Sequence, residues 1–67
     1  MQTGTVKMFN EREGHGIIIA DDGREFHARA SSINMPGVKT LEKNQKVSFI
    51  PAPSAKGDQA VNIRTIE

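Results

Sequence analysis

The chain has 67 residues, no cysteine, and nine Lys or Arg against eight Asp or Glu, for a formal net charge of +1. That length fits one small domain, residues 1–67, which buries only about 60% of the surface its unfolded chain exposes and is therefore of modest stability. The missing cysteines exclude a disulfide framework and a thiolate zinc site, and the near-balanced charge is not the footprint of a strongly basic nucleic-acid binder. Distribution matters more than the sum, however, so the charge count alone does not exclude such a role. The opening MQTGTVKMFN has no apolar signal core, and no run approaches the length of a membrane span, so a cytoplasmic protein is expected.

Thr3 to Asn10 carries β-branched and aromatic residues over a strand's length. Glu11–Gly14 is a charged turn, and His15–Ala20 is β-branched, apolar and too short for a helix. Asp21-Asp22-Gly23 is a tight-turn signal, because Asp-Gly supplies the positive φ that a hairpin needs. Arg24–Arg29 then alternates, with Phe26 and Ala28 on one face and His27 and Arg29 on the other, which makes residues 15–29 a hairpin. Ser31–Glu42 is broken by Met35-Pro36-Gly37 and reads as a long loop, with one helical turn near Ala30–Ile33. Lys46–Ile50 alternates again with Val47 and Phe49 inward, and Pro51 and Pro53 either end that strand's pairing or confine it to an edge. In Gln59–Ile66, the last strand, Val61 and Ile63 share one face against Asn62 and Arg64.

Five short strands cannot bury two open faces in so small a chain. Curling into an all-β, five-stranded antiparallel OB-fold barrel removes the edges and encloses one core. Val6, Ile18, Phe26, Ala28, Ile33, Val47, Phe49, Val61 and Ile63 are the expected core.

Thr3-Gly4-Thr5-Val6-Lys7-Met8-Phe9-Asn10 is similar to the opening T-G-x-V-K-W-F-N of the bacterial cold-shock proteins. Glu13-Gly14-His15-Gly16-Ile17-Ile18 sits where that family has K-G-F-G-F-I, and Phe26-His27-Ala28-Arg29-Ala30-Ser31 falls on V-F-V-H-F-S. Gly37-Val38-Lys39-Thr40-Leu41, Gln45-Lys46-Val47-Ser48-Phe49 and Ala55-Lys56-Gly57 follow in order, ahead of a last strand with Val61-Asn62-Ile63. The resemblance runs almost end to end, with the turn before Phe26 one residue shorter. It implies a barrel that binds single-stranded RNA or DNA with little sequence preference, stacking bases on exposed rings while lysines neutralise the backbone.

The departures fall on that binding face. Met8 replaces tryptophan, His15 and Ile17 replace the glycine-flanked phenylalanines, and His27, Arg29 and Ala30 replace the ring positions of the second motif. Val38 stands for the loop aromatic, and Glu13 for the lysine before the first glycine. Only Phe9 keeps a ring at a motif position on or beside the surface, since Phe26 and Phe49 read as core. Base–aromatic stacking is worth about 1–3 kcal/mol per base, so binding weaker than that of an aromatic-rich relative is expected. The nucleic-acid contacts implied by the resemblance are Lys7, Arg29 and Lys56 for phosphates, and Met8, Phe9, His15, Ile17 and His27 for bases.

Each candidate has a plainer reading. His15 and His27 either project together toward a ligand or are surface polar residues in vacated ring positions. If they meet phosphate, affinity rises as pH falls through the range where imidazole takes up a proton. Gly14 and Gly16 either cradle phosphate or relieve crowding in a bent strand, and no helix follows them as a phosphate loop requires. Lys7, Arg29 and Lys56, with Arg24 as a further member, form a basic track or are scattered solubilising charge. Met8 and Ile17 form an apolar patch, or Met8 tucks into the rim. Two histidines without an acidic or thiolate partner fall short of a zinc set, and no nucleophile or carboxylate pair accompanies them. No metal, cofactor or enzyme activity is therefore expected. The rival function is a barrel that has lost nucleic-acid binding and serves as a protein-interaction or regulatory module, or self-associates through Met8 and Ile17.

Overall fold

The computed structural model describes residues 1–37 and 40–66, so the expectation placed on Val38 lies outside the described residues. The alternating segments form β1 (Gln2–Asn10), β2 (His15–Ala20), β3 (Glu25–Arg29), β4 (Lys46–Ala52) and β5 (Gln59–Thr65). A single 3-10 turn at Ala30–Ser32 leaves β3. The strands close into a barrel in the order β1-β2-β3-β5-β4, with β4 paired back onto β1. Pairing is antiparallel throughout except for a short parallel seam between β3 and β5, where His27 faces Gln59 and Ala28 faces Ala60. Among the described residues no helix is long and apolar enough to cross a membrane.

The hairpin turn is a three-residue loop in which Gly23 takes the left-handed conformation at φ +92° and its N–H donates to the Ala20 carbonyl. Pro51 stays within β4, paired with Ala60, but beyond Phe49, the last β4 residue that β1 reaches. The proline thus occupies a stretch with a neighbour on one side only, which is where a residue lacking an N–H is tolerated. The long β3–β4 connection begins by closing the barrel. Ile33 bridges Ile63 in parallel, and the Asn34 N–H donates to the Ile63 carbonyl at 2.7 Å.

The core is Val6, Ile18, Ala20, Phe26, Ala28, Leu41, Val47, Phe49, Ala60 and Ile63, with Phe9 and Ile33 half-buried against it. The Phe26 and Phe49 rings meet at 4.9 Å between centroids, tilted by 56°, at its centre. Each large side chain buried here contributes about 1.5–3 kcal/mol. The sequence expectation fails at Val61, which is only half-buried, while Ala60 and Ile63 point inward. The cause is Asn62, whose φ of +54° interrupts the pleat, so that two inward positions lie three residues apart instead of two.

Candidate nucleic-acid interface

The outer face of β1, β2 and β3 is built by register. β1 bulges between Val6 and Met8, which brings Met8 opposite Ile17. Ile17 in turn faces His27, and His27 faces Gln59 across the parallel seam. One row of side chains, Met8–Ile17–His27–Gln59, therefore crosses four strands. A second row, Asn10–His15–Arg29, lies beside it. Met8 is 41% exposed and does not tuck into the barrel rim, while Ile17 is half-buried beside it.

Phe9 lies on the other side of β1 from this row. It faces Gly16, packs half-buried against the core and shows only part of its ring to solvent. Gly16 is required by that contact, because a Cβ there would sit 2.7 Å from the Phe9 Cα and 2.8 Å from its ring Cδ1. For Gly16, relief of crowding is the reading this packing supports, whereas Gly14 is uncrowded and takes a left-handed φ of +75°.

His15, His27, Arg29 and Lys56 line one open cleft of about 430 Å³, together with Glu13, Gly14 and Gln59. Lys56 comes from the β4–β5 loop, far away in sequence. Gly57 carries that loop against His27, where a methyl group would lie 3.7 Å from the imidazole Nε2. The loop's far end is held by the His27 N–H donating to the Asp58 carbonyl at 3.0 Å and by Arg24 bonding the Asp58 carboxylate at 2.6 Å. Arg24 also lies 5.2 Å above the Phe26 ring, so it anchors structure and is not a free member of the basic track.

Lys7 leaves the bulge on the exposed side and makes a loose ion pair with Glu25 at 3.7 Å. The Glu13 carboxylate lies 2.9 Å from His15 Nε2, an ion-pair contact when that imidazole is protonated. Counting the imidazoles as neutral, Arg29 and Lys56 outweigh Glu13 by one positive charge in the cleft. Among the described residues, no group of three or more His, Cys, Asp or Glu side chains converges as a metal set would require.

The structure thus brings Met8, Ile17 and His27 into one row, gathers His15, His27, Arg29 and Lys56 around one cleft, and leaves Lys7 and Phe9 at the margins. Reasoning from the residues missed Gln59, which reaches the face only through the parallel seam. It also missed the pairing of Glu13 with His15, for which the i, i+2 spacing across Gly14 was the available signal.

Residues 2–66 match the family described as the 'Cold-shock' DNA-binding domain. The chain is 48% identical over 67 residues to a cold shock-like protein of Stigmatella aurantiaca, covering 98% of each chain. It is 44% identical over 63 residues to cold shock protein 1 of Lactiplantibacillus plantarum, covering 94% of this chain and 96% of the relative. It is 46% identical over 63 residues to a major cold shock protein of Streptococcus pyogenes, covering 94% of each chain. With five strands closed into the expected barrel and this likeness extending over nearly the whole chain, the chain belongs to the cold-shock domain family of nucleic-acid-binding proteins.

Proposed function

We propose that this barrel binds single-stranded RNA or DNA across the outer face of β1, β2 and β3, weakly and with little overall sequence preference. The observation that carries this reading is the convergence of Arg29, Lys56, His15 and His27 on one cleft beside the Met8–Ile17–His27 row. Arg29 and Lys56 neutralise phosphates, with Lys7 adding a third cation once its loose pair with Glu25 yields. Met8, Ile17 and the two imidazoles offer bases an apolar and partly aromatic bed, and the exposed part of Phe9 contributes at the edge. Such a bed grips less than full rings, because each lost base–aromatic stack removes about 1–3 kcal/mol. The role is binding, not catalysis, and needs no cofactor.

The test is a titration of short pyrimidine-rich DNA and RNA at low and moderate salt, followed by amide chemical shifts. Saturable shifts on β1–β3 that weaken with salt are the expected result. Absence of binding even at low salt would overturn the proposal and leave the protein-interaction reading in its place.

A further inference from the structure

Glu13 is an acidic side chain on a face built for a polyanion, and the local structure presents it deliberately. Its turn is fixed at three points. The Glu13 N–H donates to Asn10 Oδ1 at 3.1 Å, the Gly14 N–H donates to the Asn10 carbonyl at 2.8 Å, and the Ala30 N–H donates to the Gly14 carbonyl at 2.8 Å. From there the carboxylate reaches the cleft, where one of its oxygens lies 2.9 Å from His15 Nε2. A carboxylate has two oxygens and about four lone-pair sites, so the contact with His15 at one of them leaves acceptor capacity free on both.

The cleft has the dimensions of a small-ligand site, at the lower end of the roughly 300–1,000 Å³ typical of such pockets. Arg29 and Lys56, on its walls, suit a phosphate. An anionic acceptor beside them suits a group that donates hydrogen bonds. Nucleobases of single strands are read on their Watson–Crick edges, and these edges differ in what they offer a carboxylate. Guanine presents two adjacent donors, N1–H and the 2-amino group. Uracil and thymine present one N–H flanked by two carbonyl oxygens, which the carboxylate repels. Cytosine and adenine each present an amino group beside a ring-nitrogen acceptor.

We propose that Glu13 makes the cleft between the β1–β2 turn and the β4–β5 loop a guanine-selective subsite, with Arg29 and Lys56 holding the adjoining phosphate. This inference rests on the nucleic-acid-binding reading and names a selectivity within it. Overall binding stays weakly selective because the Met8–Ile17–His27 row reads base faces, not edges. The selectivity is local, at one nucleotide, and is set by the residue that most directly opposes phosphate.

The test uses fluorescently labelled short oligothymidine, the same strand with one central guanine, and the same strand with central hypoxanthine, which is guanine without its 2-amino group. The guanine strand should bind about fivefold or more tightly than oligothymidine, and hypoxanthine should lose most of that gain. E13Q, which keeps the shape and removes the charge, should weaken the preference. E13K should abolish it while tightening the grip on all three strands, with unchanged amide dispersion certifying the fold. Equal affinity for all three strands in the unaltered protein overturns the subsite and leaves the binding function intact. A guanine preference that survives in E13K overturns the assignment to Glu13. Failure of every strand to bind overturns both readings together.

Discussion

At the scale of single residues, the proposed interface combines contacts that are individually weak. In the proposed interface, a methionine at 41% exposure at the β1 end of the outer row would cover a base face with a flexible chain, where a ring would stack. Restoring a ring measures what this face lacks. M8W should raise affinity for a pyrimidine-rich single strand about fivefold or more, in line with the 1–3 kcal/mol per stacked base. The substitution is exposed and paired with Ile17, so the urea midpoint should hardly move. Fluorescence titration with the new indole as reporter checks both, and unchanged affinity in a folded M8W would show that bases do not cross this row. Lys7 illustrates the same economy with charge. Its exposed pair with Glu25 at 3.7 Å belongs to a class worth about 0–1 kcal/mol, so under the proposed function an arriving phosphate would displace the carboxylate easily.

At the scale of elements, the site depends on how closely β1 and β2 approach. The Gly16 Cα lies so near Phe9 that G16A would drive a methyl group into the backbone of β1 as well as the ring. Retreat is restricted on both sides, because Gly16 is paired with Ala28 of β3 and Phe9 is packed against the core. G16A should therefore cost about 1–3 kcal/mol, the range for overpacking, and should shift amides in both strands. Urea unfolding measures the first effect, and a loss below about 0.5 kcal/mol would mean that the two strands yield to the added methyl group without strain. The strands that were legible in the sequence are those whose alternation is unbroken. Glu25–Arg29 places Phe26 and Ala28 inward and His27 and Arg29 outward, as the two-residue period demands. Gln59–Thr65 was misread at Val61 because a left-handed Asn62 resets the period, and a single asparagine inside a strand does not announce that conformation. The cleft was half legible for a related reason. His15, His27 and Arg29 come from one hairpin and could be placed together by eye, and Lys56 followed from the family likeness. Gln59 enters through a parallel seam of two residue pairs, which no local pattern encodes.

At the scale of the whole molecule, a chain of 67 residues has a total stability of only about 3–10 kcal/mol, so one joint in the barrel wall matters. Asp21 is such a joint. It sits on the β2–β3 turn, accepts from the Thr3 hydroxyl of β1, and bonds Lys46 Nζ of β4 at 3.2 Å. Its N–H also donates to the Thr3 carbonyl at 3.0 Å. The Thr3 hydrogen bond above all, then the hydrogen bond and charge of Lys46, hold the Asp21 carboxyl below the ordinary value of 3.8. The folded state therefore prefers the ionised form, and the unfolded chain takes up this proton first as acid is added. Stability from Asp21 is present in full above the ordinary carboxylate range and is lost as pH falls through the lower, folded value. D21N removes the charge at every pH, so it should lower the urea midpoint near neutrality. The gap from the unaltered protein should close as the pH falls below about 4. Because the group is exposed, added salt should narrow the gap at neutral pH as well. Urea titrations of both proteins from neutral pH down into the acid range provide the check. A gap that stays constant across that range would show that the Asp21 charge does not contribute to barrel closure, leaving the β1–β4 hydrogen bonds to hold that seam alone.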